Sequence, residues 1–230
     1  MSRRAKILLA VAGGLIVLAV VAAFVGPRIY AAVMAESAAD EPTVTVEPEA
    51  STVEDASDLS GTWTVGEGSY AGYRLDEVLN GADVTVTGRT EQVTGDLTID
   101  GLTLSAATIT VDMASIATDN GSRDDYFRND ALETDRFPEA TFVLTQPVEA
   151  TGTPVAGEPQ TLTVTGDLTV HGVTQQVTTD LEAVLSGDGG QIAGSIPITF
   201  EDFGVTAPNL GFVSVEPTGF IEFLLVVDPS

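Results

Sequence analysis

Val164-Thr165-Gly166-Asp167-Leu168-Thr169-Val170-His171-Gly172 is the stretch on which the fold is decided. Val164, Leu168 and Val170 alternate with Thr165, Asp167 and Thr169, the period of a strand with one apolar and one wet face. Gly166 inside the run marks a bulge or a sharp bend, the device by which a sheet curls on itself. His171-Gly172 supplies a tight turn. The pattern stands 71 residues earlier as Val93-Thr94-Gly95-Asp96-Leu97-Thr98-Ile99-Asp100-Gly101. Two copies are too few for a solenoid, so the echo reads as two hairpins of one sheet.

Outward from this pair the texture persists. Ile109, Val111 and Met113 alternate with Thr108, Thr110 and Asp112, and Leu162 extends the series of Val164. Asn80-Gly81, Asp100-Gly101, His171-Gly172 and Asp188-Gly189 punctuate the runs with residues suited to positive φ. Phe220 to Val227 is apolar on both faces apart from Glu222, which places it in the closed centre of a sheet. Many antiparallel strands over this length mean a sandwich or a barrel.

One segment, Ser115 to Pro138, breaks the alternation. Ser122 followed by Asp125 resembles a capping box, so a short helix is expected from Arg123, with Phe127 and Leu132 turned to the apolar interior. Arg123, Arg128 and Arg136 fall here among Asp119, Asp124, Asp125, Asp130, Glu133 and Asp135, a concentration of cations in a chain with few. One reading is an ion-paired loop closing the structure; the other is a site where Arg123 and Arg128 orient a polar or anionic head. The spacing of the acids does not match a calcium loop.

At the N-terminus, Arg3, Arg4 and Lys6 precede Ile7 to Val25, 19 apolar residues spanning about 28 Å as a helix. That length crosses a bilayer, and the basic flank places the N-terminus in the cytoplasm and the remainder outside. The rival is a cleaved signal peptide ending near Val33-Met34-Ala35, which would make the mature chain secreted; the length of the run and the following Gly26-Pro27-Arg28 favour a retained anchor. Residues 31–59, rich in Ala, Glu, Asp, Thr, Ser and Pro, read as an acidic flexible linker. The division is therefore an anchor over 1–30, a linker over 31–59 and a folded domain over 60–230.

The chain of 230 residues carries 9 Lys+Arg against 34 Asp+Glu, a formal net charge of -25. Such a surface repels phosphate backbones, so no nucleic-acid partner is expected. With no cysteine and a single histidine there is no thiolate nucleophile and no Cys- or His-rich metal site. Serine-hydrolase elbows, zinc-protease helices and phosphate loops are also missing from the sequence. His171 reads as a turn residue. The expectation is a non-enzyme with no cofactor and no metal.

Four blocks then carry a resemblance: Ser115-Ile116-x-Thr118-x-Asn120-x-x-Arg123-Asp124, Phe137-Pro138-x-Ala140-Thr141-Phe142, Gly166 to Thr174, and Asp202-Phe203-Gly204. In this order, over about residues 61–228, the chain resembles the YceI-like family. The resemblance implies an all-β, eight-stranded antiparallel, lipocalin-like barrel with a short helical loop, exported in bacteria and holding a long polyisoprenoid chain inside. It is weakest at Ser69 to Arg74. A barrel of that size either fills with side chains or holds one small ligand.

Candidate ligand-binding residues, by alternation, are Ile109, Val111, Met113, Phe142, Leu144, Leu162, Val164, Leu168, Val170, Ile221 (or Phe220 on the other face), Phe223 and Leu225. The loop adds Arg123, Tyr126, Phe127 and Leu132. The expected function is a membrane-tethered extracytoplasmic lipid-binding protein with an apolar, polyisoprenoid-like partner. The alternative is a structural or adhesion module with a side-chain-filled barrel and an acidic interaction surface.

Overall fold

The computed structural model describes residues 25–26, 38–45, 59–79, 81–186 and 189–230. Its strands are β1 (Gly61–Val65), β2 (Tyr70–Leu79), β3 (Ala82–Thr90), β4 (Val93–Asp100), β5 (Thr103–Asp112), β6 (Glu139–Leu144), β7 (Val148–Glu149), β8 (Gln160–Val170), β9 (Val173–Ser186), β10 (Gly189–Thr199) and β11 (Val213–Pro229), with one short helix, α1 (Gly121–Tyr126). Among the described residues, eight strands close a ring in the order β1-β4-β5-β6-β8-β9-β10-β11, and β11 returns to β1 through Trp63↔Pro229 and Val65↔Val227. All of these pairings are antiparallel. Closure removes the exposed edges that an open sheet would leave.

β11 is long enough to serve two partners on one side. Beyond β1 it pairs β2 from Val213 to Leu224, with a register shift between Val215 and Gly219. β3 follows as the hairpin partner of β2, and its far edge is tied to the loop after β5 by the reciprocal Arg89 and Ala117 backbone bonds at 3.0 and 3.1 Å.

The two echoed strands are β4 and β8, and their outer faces are wet as expected. Thr163, Thr165 and Thr169 bond across to Asp180, Thr178 and Thr174 of β9. His171 and Gly172 both have positive φ, 52° and 74°, which sets the β8–β9 turn. The strand glycines do different work from that expected. The β4–β5 register shift lies between Thr98 and Ile99, away from Gly95. A Cβ on Gly95 would instead stand 2.6 Å from Ile109 Cδ1, and one on Gly166 would stand 2.3 Å from the Phe142 ring. Each glycine is the space that a neighbouring strand's large inward side chain occupies.

The helical segment also differs in detail. The cap is Asn120, whose Oδ1 accepts from Ser122 N at 2.9 Å and Arg123 N at 3.4 Å, so α1 begins at Gly121 rather than Arg123. Asp125 turns outward to Arg128 at 2.7 Å. Met113 lies just past β5, in a 3₁₀ turn whose preceding Asp112 side chain accepts from Ala114 N.

One end of the barrel is plugged by Trp63, Leu59, Val93 and Val227, with Trp63 Nε1 donating to the Leu59 carbonyl at 3.0 Å. A second buried cluster gathers Met113, Ile116, Leu132, Leu168, Ile196 and Phe203.

Residues 38–45, assigned by composition to a flexible linker, lie against the outside of the barrel: Ala39 N donates to Thr87 Oγ1 at 3.0 Å and Thr45 N to Gln191 Oε1 at 2.8 Å. Among the described residues no helix is long and apolar enough to cross a membrane. The proposed anchor Ile7 to Val25 lies, apart from Val25, outside the described residues, as does the alternative cleavage site.

Candidate functional site

The barrel interior is not filled. A cavity of about 560 Å³ runs above the Trp63 plug and is walled almost wholly by apolar groups. Such a volume lies within the usual range for small-molecule sites. The side-chain-filled barrel that the sequence left open is therefore corrected: the inward aliphatic residues surround space as well as one another.

Alternation places the wall. Ile109 and Val111 from β5, Phe142 and Leu144 from β6, Val164, Leu168 and Val170 from β8, and Ile221, Phe223 and Leu225 from β11 all line the cavity. Met113, Arg123, Tyr126, Phe127 and Leu132 join them from the connection between β5 and β6. Leu162 does not. It shares the inward face of β8 but lies near the strand's start, partly buried and short of the cavity. Phe220 points outward and is 43% exposed, which leaves its neighbours Ile221 and Phe223 as the inward pair.

Several wall residues had no sequence signal. β2 contributes Tyr73, Leu75, Glu77 and Leu79, and the stretch after β10 contributes Phe200, Phe203, Val205 and Pro208. In β2 both faces carry ionisable groups, Tyr73 and Glu77 inward and Arg74 and Asp76 outward, so hydropathy does not label the inner one. Leu210 and Phe212 line the cavity while remaining 57% and 58% exposed, which puts the mouth at this loop. His171, a turn residue as expected, donates from Nδ1 to the Phe203 carbonyl at 3.2 Å and packs edge-on to Phe137 at 4.7 Å.

Polar groups meet the cavity mainly on one side. Glu77, only 5% exposed, accepts from Arg123 Nη2 at 3.2 Å, and Arg123 Nη1 donates to Asp119 at 2.8 Å. The loop carrying Arg123 is fixed by Asp124, which accepts from Thr118 N at 2.9 Å and Thr118 Oγ1 at 2.7 Å. Tyr73 stacks on Phe127 with ring centroids 5.2 Å apart. Burial pushes its phenol far above the ordinary value; Arg123 opposes this, and Asp124, Glu77 and Asp119 add to it. Tyr73 is accordingly a neutral hydroxyl at any physiological pH. Arg128, expected beside Arg123, bonds Asp125 on the surface and does not reach the cavity.

A model of the YceI-like domain matches residues 44–227. The chain belongs to the YceI-like family. It is 36% identical over 126 residues to a UPF0312 protein of Pseudomonas putida, covering 50% of this chain and 61% of that protein. It is 35% identical over 115 residues to protein YceI of Shigella flexneri, covering 47% of this chain and 56% of that one. The match therefore spans less than two thirds of these relatives' own length.

Among solved structures, this YceI-like chain shares its fold with a polyisoprenoid binding domain from Saccharophagus degradans implicated in plant cell wall breakdown, at TM-score 0.60 and 18% identity over 74% of this chain and 99% of that one. It is similar too to BcnA of Burkholderia cenocepacia, at TM-score 0.57 and 22% identity over 70% and 98% of the two chains. Residues 44 and 45 of the family match fall in the segment laid against the barrel wall.

Proposed function

We propose that this YceI-like chain holds an apolar, polyisoprenoid-like lipid inside its barrel without transforming it. The observation that carries the reading is the apolar cavity of about 560 Å³ in a closed barrel plugged at one end. Burying apolar ligand surface in such a space is favourable at roughly 25 cal/mol per Å². A branched, flexible hydrocarbon suits a wall of aliphatic and aromatic side chains whose charged groups are gathered on one side. The Saccharophagus relative, described as binding polyisoprenoid, supports the same ligand class.

The reading includes a location. Arg3, Arg4 and Lys6 before the 19-residue apolar run favour a single-pass anchor with the barrel on the far side of the membrane. Full-length protein should then remain with membranes through an alkaline carbonate wash; a soluble chain starting near Glu36 would show a cleaved signal instead.

Ligand content is tested by organic extraction of the purified full chain followed by mass spectrometry. An isoprenoid-like lipid should be recovered from the unaltered protein and much less of it from Met113→Trp, which enlarges a wall residue. No lipid in the unaltered protein, with strong destabilisation of the variant, would overturn the reading.

A further inference from the structure

Resting on that reading, we propose that the cavity accepts a lipid whose polar head is uncharged and rejects one that ends in phosphate or diphosphate. The Arg123–Glu77–Asp119 cluster is what discriminates.

Arg123 is the only cationic side chain among the described residues that line the cavity. An anionic head would need its guanidinium, because Arg recognises phosphate through two parallel N–H donors. Two of its five N–H donors already serve carboxylates, Nη2 to Glu77 at 3.2 Å and Nη1 to Asp119 at 2.8 Å, so a phosphate would have to share the guanidinium with both. Glu77 is 5% exposed, so its charge is compensated by the protein rather than by water.

The local charge count points the same way. Glu77, Asp119 and the nearby Asp124 set three carboxylates against the single guanidinium of Arg123. A phosphate entering here would meet net negative charge in a partly desolvated wall, where like charges interact far more strongly than in water. It would also have to pull Arg123 from a buried carboxylate and leave that carboxylate unpaired, a strongly destabilising change. An alcohol or carbonyl head asks for neither. It can accept from the Tyr73 hydroxyl or approach the Glu77–Arg123 pair without adding charge. Arg74 and Arg89 cannot help, since both turn outward to Glu222.

Equilibrium dialysis of the delipidated full chain, held in amphipol, against farnesol and farnesyl phosphate tests this. Farnesol should bind at least about tenfold more tightly than farnesyl phosphate. Glu77→Gln, which neutralises one partner of Arg123, should raise the affinity for farnesyl phosphate relative to farnesol about tenfold. If Glu77→Gln does not fold, Asp119→Asn frees the other guanidinium edge, and Asp119 is 40% exposed and tolerant of change. Equal or tighter binding of the phosphate by the unaltered protein would overturn the selectivity while leaving apolar-chain binding in place. Failure of both compounds to bind, with no lipid extracted from the native protein, would remove the underlying reading as well.

Discussion

Tyr73 shows how one residue can line the cavity, be perturbed and stay invisible to pattern. Its ring lies against Phe127 and over Gly88, where a Cβ would stand 2.6 Å from the tyrosine Cε1. Burial raises its phenol above the ordinary 10.0, with Arg123 opposing and Asp124, Glu77 and Asp119 adding. The sign for stability follows from linkage. Below pH about 10 both folded and unfolded chains hold the proton and the contribution is whole; above it the unfolded chain ionises first, so stability is lost as pH rises. Tyr73→Phe should therefore flatten the alkaline fall in urea-unfolding free energy, by at most about 1.36 kcal/mol per pH unit. An unchanged slope between wild type and variant would show that the hydroxyl is solvated in the folded state. Glu77 and Arg123, 46 residues apart, were likewise unpaired in the sequence; Arg123 was singled out for its rarity, but its partner could only be found once β2 was laid beside the loop.

At the scale of elements, what could be read was what depends on neighbours in the chain. Alternation in β5, β8 and β11 placed their inward residues on the cavity because a strand's period is fixed by backbone geometry. It failed where the backbone departs from a strand or a competitor is close by. Leu162 lies on the correct face but beyond the cavity's reach, and Asn120 outcompeted Ser122 as the cap of α1 because its amide oxygen takes two N–H donors. The glycines of the echo were visible, yet their role was not, since it depends on side chains from adjacent strands. Gly95 faces Ile109, and Gly166 lies under the Phe142 ring. Gly95→Val should accordingly overpack the barrel and cost about 1–3 kcal/mol in urea unfolding, while shrinking the cavity and lowering recovered lipid. A variant of wild-type stability would mean that both the Thr108 carbonyl, 2.5 Å from an added Cβ, and the Ile109 side chain can give way.

For the whole molecule, the outer face of β11 carries the other ionic cluster. Glu222, 1% exposed, meets Arg74 Nε at 2.5 Å and Arg89 Nη2 at 3.3 Å. The same arginines reach the segment before the barrel: Arg74 Nη2 donates to the Ala39 carbonyl at 2.6 Å, and Arg89 Nη2 to that of Asp40. Glu222 was expected to sit in a buried strand as its one charged residue; what covers it came from 148 and 133 residues away in sequence and could not be read there. With the apolar run of the proposed anchor ending at Val25 and the docked segment starting at Ala38, the 12 residues between them span at most about 47 Å. On the anchored reading the barrel is held within that distance of the bilayer, rather than at the end of a tether running to residue 59.

The docking cluster can be tested apart from the cavity, because Glu222 faces away from it. Glu222→Ala leaves Arg74 and Arg89, 15% and 26% exposed, without their shared carboxylate. Removing one partner of a buried ion network costs about 3–5 kcal/mol, and the partial exposure of both arginines places this case near about 3 kcal/mol. Arg136→Gln is the control: its pair with Glu133 is 73% and 46% exposed and its guanidinium lies 4.9 Å over the Phe137 ring, so urea unfolding should move by no more than about 1 kcal/mol. The second readout is cleavage of the full chain after Asp40 by a glutamate- and aspartate-specific protease. Arginines released from Glu222 no longer present fixed donors to the carbonyls of Ala39 and Asp40, so cutting should be faster in Glu222→Ala than in wild type under conditions where both remain folded. Equal cutting rates would mean that the bonds from Ala39 to Thr87 and from Thr45 to Gln191 hold the segment without help from the ion cluster.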